Sequence, residues 1–385
     1  MNNTTEKVRT RRDEINAIDS EILDLLNRRA EIALWVGAMK SSNEASLCDE
    51  TREREVLERL CSENAGPLDE QGVRNIFQRV IDESLYLQQK AYQKKARHTA
   101  TPVDIGGKHV AVLGEPGTFS EEAALSLLGP DCSIVWRHNF DDLFHAMDHG
   151  EAAYILAPLE NSLVGPINRS YDLLFSSGLK IKAEIFMPVP QFLIAGPNAS
   201  IDTIRTVESH PAALGQCEMF FTENPHLVRL EADDTAGSVR RAIESGDPTR
   251  AAIGSRRAAE IYGGKVLREN IEDHQANWTR FVLLSNGSAE IDHGEKLSLV
   301  VRLKHKPGSL HSALRPFVRR GINLLKLESR PVKGEPSQFS FYFELEVPAA
   351  ESELTAAFTE LKRHSDEVLN LGRYSTVDMT KGDEQ

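Results

Sequence analysis

Asn277-Trp278-Thr279-Arg280-Phe281 runs straight into the apolar stretch Val282-Leu283-Leu284. An amide, a hydroxyl and a guanidinium thus stand at the mouth of what reads as a buried strand, where polar groups usually face a cleft. A guanidinium there suits a carboxylate or phosphate, and a hydroxyl one residue away can take or give a short hydrogen bond. By itself the pair is equally a plain strand start. Its weight comes from similar polar-glycine clusters upstream.

Each cluster follows a short apolar run. His109–Leu113 gives way to Gly114-Glu115-Pro116-Gly117-Thr118-Phe119-Ser120 and a helix from about Glu121, and residues 153–157 lead into Pro158-Leu159-Glu160-Asn161-Ser162. Residues 204–207 precede Glu208-Ser209-His210-Pro211; Asp234-Thr235-Ala236-Gly237-Ser238 is a fourth cluster, and Ala251-Ala252-Ile253-Gly254-Ser255 a weaker fifth. One such cluster is usually a cap and turn. Five at the carboxyl ends of strands in one α/β region match the place where open sheets bind ligands. The fingerprint GxGxxG is absent, and so is a P-loop GK[ST]. Residues 185–265 read as an insertion, so 107–285 are expected to form two lobes, 107–184 with 266–285 and 185–265. The NWTRF segment would lie at their junction.

The 385 residues, 40% of them hydrophobic, suffice for two or three cored domains. With 58 acidic against 45 basic side chains the net charge is −13, which argues against nucleic acid as a partner. No run approaches the roughly 20 apolar residues of a membrane span, and the N-terminus lacks an apolar leader segment. The cytoplasm is therefore expected, with no membrane partner. Cys48, Cys61, Cys132 and Cys217 are far apart and show no metal-ligand spacing, which fits a reducing compartment without structural zinc; no metal and no cofactor are expected.

Residues 1–95 read as helical. From 7 to 42 there is no proline and the single glycine is Gly37; in heptads the inward positions are Ile15, Ile18, Ile22, Leu25, position 29, Ile32, Val36 and Met39. Position 29 is an arginine. A helix of this length spans about 54 Å, more than one small domain buries, and is typical of a bundle shared between chains. Helices over 50–62 and 69–91 follow, the second placing Ser84 and Gln88 in the stripe of Val73, Ile76, Phe77, Val80, Ile81 and Leu87. A buried arginine needs an anion, from the protein or from a ligand. Arg29 and Lys40 are about three turns apart on one face and can reach one ligand; Arg12, about 25 Å from Arg29 along the axis, can join them only from a second chain. Asp49, Arg52 and Glu53 open the next helix, where acids also suit the dipole.

Through residues 7–90 these positions resemble the all-α helical chorismate mutase domain, in the segments RRDEINAID, LLNRRAEIA, VGAMK, DETRERE and DESLYLQQ. The resemblance implies an intertwined homodimer in which each site takes one arginine from the other chain. It implies the Claisen rearrangement of chorismate to prephenate, which needs a compact substrate conformer and charge complementarity rather than a nucleophile or base. Arg12 and Arg29 would hold carboxylates and Lys40 with Gln88 the ether oxygen, with Asp49, Arg52, Glu53 and Ser84 completing the polar shell.

After a linker at 91–106, which meets Pro102 and the Gly106-Gly107 pair, GEPGTFS, PLENS, SHPAALGQC and NWTRF resemble the GPxGTFS, PIENS, SHPxALxQC and NxTRF of prephenate dehydratases. Glu115 stands where that family has proline. The resemblance implies a two-lobed, periplasmic-binding-protein-like α/β domain over 107–285 with its site between the lobes. It implies loss of the ring carboxylate as CO2 and of the ring hydroxyl as water, giving phenylpyruvate. Aromatisation drives the reaction, so the leaving hydroxyl needs only a proton or a strong hydrogen bond. By the resemblance Thr279 is that donor, Arg280 binds a carboxylate, and Phe281 completes the motif. Asn161, Ser162, Thr118, Ser120, Ser209, His210 and Thr235 would line the pocket. A threonine must be polarised by neighbours; His210 has a suitable intrinsic pKa and is equally a cap before Pro211.

Beyond the polar connector Asn286-Gly287-Ser288 to Gly294, strand, helix and hairpin signals give βαββαβ over 296–372, with a hairpin at Lys333-Gly334-Glu335-Pro336, a last short strand at 366–370 and disorder over 372–385. KPGSLHSAL and Glu328-Ser329-Arg330-Pro331 resemble the α+β, ferredoxin-like ACT domain. Gly308, Ser309, Leu310, Glu328, Ser329, Arg330 and Pro331 would then hold phenylalanine as a feedback effector. As a multidomain whole the chain resembles the bifunctional chorismate mutase–prephenate dehydratases, as a dimer, with pairing into tetramers left open. The readings of other classes are a phenylalanine-sensing binding protein on the same scaffold and an enzyme retaining the dehydratase alone. Arg29, Lys40, Thr279 and Arg280 argue against decayed sites.

Overall fold

The computed structural model describes residues 2–42, 49–92, 103–274, 276–287, 294–332, 334–348 and 350–380; Cys48, Ser288, Lys333, most of the linker and residues 381–385 lie outside the described residues. The chain divides into two compact units, residues 1–97 with 301–368 and residues 98–300 with 369–385.

In the first unit, α1 (Asn2–Ser42) is one unbroken helix, followed by α2 (Glu50–Glu63) and α3 (Glu70–Tyr92). α1 and α2 both pack on α3, with a small core of Leu57, Ile81 and Leu85. Gly37 is explained by this contact: a Cβ there would lie 2.8 Å from Cγ of Gln88, so the glycine lets α3 approach. The heptad stripe of α1 has no such cover. Ile15, Ile18, Ile22, Leu25, Ile32, Val36 and Met39 are 37% to 65% exposed in the single chain.

The second unit begins with β1 (His109–Leu113), α4 (Phe119–Leu128), β2 (Ser133–Arg137), α5 (Phe140–His145), β3 (Tyr154–Asn161), β4 (Gly165–Pro166), α6 (Asn168–Ser177) and β5 (Lys180–Pro188). β6 (Phe192–Ala195), β7 (Thr206–Ser209), α7 (Pro211–Gly215), α8 (Glu218–Glu223), β8 (Val228–Glu231), α9 (Thr235–Glu244), β9 (Arg250–Gly254), α10 (Arg256–Tyr262) and β10 (Lys265–Arg268) make the second lobe, and β11 (Trp278–Ser285) returns to the first. The lobe 1 sheet runs β2-β1-β3-β11-β5, parallel among the first three and antiparallel about β11. The lobe 2 sheet runs β10-β6-β9-β7-β8. Each has its own apolar core, one around Val110, Leu127, Leu156, Ile185 and Leu283 and another around Leu193, Val207, Phe220 and Ile253.

The lobe boundaries differ from 184/185 and 265/266. Glu184, Ile185 and Phe186 pair with β11, so β5 stays in lobe 1 to Pro188, and Lys265 and Val266 pair with Ala195 and Ile194, which keeps β10 in lobe 2. Ladder partners, which sequence periodicity does not carry, decide both.

The C-terminal module is βαββαβ as expected: β12 (Lys296–Leu303), α11 (Ser309–Val318), β13 (Leu324–Val332), β14 (Glu335–Glu346), α12 (Glu351–His364) and β15 (Ser365–Asp378), in the order β13-β14-β12-β15. The disorder expected from 372 is corrected as far as Asp378. Ser375–Asp378 pair in parallel with Ala183–Phe186 of β5, and this external ladder holds a segment whose own sequence is a weak strand.

Candidate active site

Asn161 is the last residue of β3 and Thr279 sits opposite it on β11. The ladder between these strands shifts register between Arg280 and Phe281, where Arg280 pairs with Glu160 but Phe281 with Pro158. A bulge is a place where proline is tolerated and where side chains are re-aimed. It brings the Asn161 amide onto the Thr279 hydroxyl.

The amide's orientation is fixed by groups that can only donate. Asn161 Oδ1 accepts the backbone N–H of Leu163 and of Val164, both at 3.0 Å. Its Nδ2 therefore faces oxygens: Asn277 Oδ1 at 3.0 Å, Trp278 O at 3.0 Å and Thr279 Oγ1 at 3.1 Å. Since the amide donates to Oγ1, the threonine's own proton is directed elsewhere. Asn277 donates in turn to Gln216 Oε1 at 2.9 Å and to Val189 O at 3.0 Å, and Gln191 donates to Gln216 Oε1 at 3.2 Å. A row of uncharged amides thus leads from Gln216 at the end of α7 in lobe 2 to Thr279 in lobe 1. Ser162 pins the row from one side, donating to Ala276 O at 2.9 Å and accepting from Trp278 N at 3.0 Å.

Asn277 and Gln216 were not among the residues expected at the site. Both stand inside the quoted motifs, as the first letter of NWTRF and the penultimate one of SHPAALGQC, and an amide beside a hydroxyl motif is the signal that could have found them.

The other expected residues fall in three groups. Thr118 caps α4, Ser120 is buried in its first turn, and Thr235 opens α9. Ser209 is fully buried with its hydroxyl donating to Ile253 O at 2.8 Å, and His210 Nδ1 accepts Ala212 N at 3.1 Å, so it caps α7. Phe281, 2% exposed, packs among the lobe 1 apolar residues.

Arg280 is not with the cluster. One residue along a strand reverses the face, and Arg280 lies behind β11, where its Nε donates to Glu184 Oε2 at 2.6 Å and its Nη2 to Tyr374 Oη at 3.1 Å. The carboxylate it meets belongs to the protein.

The lobes are joined at the Gly117 turn. Ser255 donates to Gly117 O at 2.6 Å and Tyr262 to Pro116 O at 2.9 Å; Arg257 pairs with Glu121 at 2.7 Å. Glu115 is held by Arg240 through bonds of 2.9 and 3.2 Å. Burial pushes the neighbouring Glu122 carboxyl up, against the opposing pull of Ser255 and Arg257. Burial also raises the Cys217 thiol, with Asp273 and Glu272 adding to it, so this cysteine is no nucleophile.

In the helical region Arg29, Ser84 and Gln88 come together on the seam of α1 and α3. Arg29 donates to Ser84 Oγ and to Val80 O at 3.3 Å, and Gln88 donates to Ala33 O. Burial lowers the Arg29 pKa, without bringing a guanidinium near neutrality. Lys40 lies half-buried further along α1, whereas Arg12 is exposed. Asp49 caps α2 by accepting Arg52 N at 3.0 Å, Arg52 pairs with Glu55 at 3.1 Å, and Glu53 meets Arg319.

In the C-terminal module a cavity of about 140 Å³ is lined by Lys304, His305, Ser309, Leu310, Phe339 and Phe341. Gly308 precedes it with φ +82°, a left-handed turn into α11. Ser329 and Pro331 pair with Phe341 and Phe339, while Glu328 and Arg330 alternate to the other face. Among the described residues no group of side chains could hold a metal ion, and no helix is long and apolar enough to cross a membrane.

Residues 11–89 match the family described as chorismate mutase type II and residues 110–289 the family described as prephenate dehydratase. A bifunctional chorismate mutase/prephenate dehydratase of Neisseria gonorrhoeae is 32% identical over 367 residues, 95% of this chain and 96% of that one. Among solved structures, a prephenate dehydratase from Arthrobacter aurescens in complex with L-Phe has 30% identity and a TM-score of 0.64, covering 72% of this chain and 91% of that one. GqqA, described as a novel type of quorum quenching acylase, has 30% identity and a TM-score of 0.65 over 71% of this chain and 100% of that one. With two family matches in tandem and a curated relative spanning nearly its full length, the chain belongs to the bifunctional chorismate mutase/prephenate dehydratase family.

Proposed function

We propose that the row of amides ending at Thr279 is the dehydratase centre and that the α1–α3 seam around Arg29 is the mutase centre. The chain rearranges chorismate to prephenate and converts prephenate to phenylpyruvate, CO2 and water in phenylalanine biosynthesis. In the second reaction the electron pair of the carboxylate's C–C bond enters the ring as the ring hydroxyl departs, and that oxygen must be stabilised as it leaves. The observation that carries the reading is the 3.1 Å bond from Asn161 Nδ2 to Thr279 Oγ1, because it makes the threonine an acceptor on one side and hence a donor on the other. Thr118, Ser120, Ser162, Ser209, His210 and Thr235 supply the surrounding polar wall, much of it through backbone groups their side chains hold in place. Arg280 acts from behind the strand.

In the mutase centre Arg29, Lys40, Ser84 and Gln88 come from one chain and Arg12 from a second, with Asp49, Arg52 and Glu53 at the start of α2. The exposed stripe of α1 supports a homodimer, since so much contiguous apolar surface is rarely left to water. Phenylalanine as effector fits the cavity beside Ser309 and Leu310, which joins two aromatic rings to basic side chains, as an amino acid's apolar and carboxylate ends require. Domains are assigned as 1–95 mutase, 107–285 dehydratase and 296–372 regulatory.

Purified protein given chorismate tests the division. Arg29→Ala is expected to abolish prephenate formation and leave conversion of supplied prephenate intact, and Thr279→Ala to do the reverse. Loss of both activities in either variant would contradict two separate centres.

A further inference from the structure

The reverse face of β11 holds a buried charge cluster that the reaction itself does not use. Glu184 is fully buried and Arg280 2% exposed. One oxygen of Glu184 takes Arg280 through Nε at 2.6 Å and Nη2 at 2.5 Å; the other takes the Lys296 ammonium and the Thr376 hydroxyl, the latter at 2.7 Å. Tyr374 Oη accepts from Arg280 and lies 2.7 Å from Ser298 Oγ. Below them the Phe186 ring carries both cations on its face, 5.8 Å from Arg280 and 5.2 Å from Lys296, and meets Trp278 edge-on.

A buried ion cluster is a poor source of net stability, since desolvation offsets most of the attraction. It does fix geometry. On its β3 side the ladder breaks register between Arg280 and Phe281, next to Thr279, so that there the strand is set in regular pairing by β5 alone. The cluster grips β11 at that residue from β5, β12 and β15.

We infer that Glu184 is a positioning residue for the dehydratase: by holding Arg280 behind the strand it sets Thr279 Oγ1 against Asn161 and the substrate. This rests on Thr279 being the donor to the leaving hydroxyl. It makes Arg280 a part of the same device and not a substrate contact.

The full chain is assayed with prephenate as Glu184→Gln, Arg280→Gln and the double variant, with Thr279→Val alongside and thermal melts of each. A displacement of order 1 Å costs about 100-fold in a positioned reaction, so a partial loss of register is expected to lower kcat about tenfold or more. KM should stay within about threefold of wild type, and the double variant should be no worse than the poorer single one, as for residues acting through one contact. Wild-type kcat in Glu184→Gln, a rise in KM with kcat kept in Arg280→Gln, or additive losses would overturn the inference. If Thr279→Val itself keeps activity, the reading of the site has failed instead. Thr376→Val, which removes one bond to Glu184 at a half-buried position, covers the case in which the charge variants melt below the assay temperature. A threefold or larger fall in its kcat with KM unchanged supports the inference, and wild-type kinetics refutes it.

Discussion

Asn161→Asp changes one NH2 group to oxygen at the same shape and tests the amide's role. In the native site Nδ2 faces three oxygens, Asn277 Oδ1, Trp278 O and Thr279 Oγ1, at 3.0 to 3.1 Å. Oδ1 keeps its two backbone donors in the variant, so the side chain stays in place. The new oxygen can only accept. One buried acceptor, Asn277 Oδ1, loses its donor, at about 1–3 kcal/mol, a cost that uptake of a proton by the aspartate would reduce, whereas Trp278 O keeps the backbone N–H of Ser162 at 2.9 Å. The third, Thr279, can turn its hydroxyl toward the carboxylate, withdrawing from the substrate the proton it otherwise offers. Removal of one oriented donor typically costs about 100- to 1000-fold in kcat. We expect phenylpyruvate formation from prephenate to fall by that factor, with mutase activity of the same preparation unchanged and the melting temperature lowered but above that of the assay. A folded variant with dehydratase kcat within about threefold of wild type would refute the claim that the amide sets the direction of the threonine proton.

A charge on the α1 stripe, as in Ile22→Glu, should shift the protein to a smaller species in gel filtration and remove mutase activity; an active monomer would end the shared-bundle reading. Leu310→Trp should fill the 140 Å³ cavity and relieve inhibition by phenylalanine without loss of uninhibited activity, whereas undiminished inhibition would place the effector elsewhere. Glu122 is an acid whose folded pKa lies above its unfolded one, so the fold binds more protons than the unfolded chain between those values and loses stability as pH rises through the folded pKa. Glu122→Gln is therefore expected to raise the melting temperature at pH 7, with the gain vanishing at pH values below the unfolded pKa; an equal gain at both ends would show that charge burial is not the cause.

The helical region was legible because a 3.6-residue period, an absence of proline and polar side chains at apolar positions all act within one segment. Arg29, Ser84 and Gln88 meet as their spacing suggests. Gly37 had a reason, contact with Gln88, that only the second helix reveals. Around Thr279 the motif letters marked the place but not the partners, since Gln216 and Asn277 come from different lobes and meet only through the fold. The alternation of a strand already placed Thr279 and Arg280 on opposite faces, and reading NWTRF as a single cluster overrode it. The end of β15 was illegible for a different reason: residues 375–378 are held as a strand by the edge of β5, and a partner-imposed strand leaves little trace in its own composition.

At the turn between the lobes, Gly117 has φ +90° and a Cβ there would come within 2.7 Å of Ala258 Cα, so two backbones touch with no side chain between them. Around this touching point lie the bonds from Ser255, Tyr262, Arg240 and Arg257. Lobes in such close contact have no room to slide past each other at this spot. Any larger residue at 117 would have to force these two backbones apart, and would do so in a left-handed conformation that only glycine takes easily.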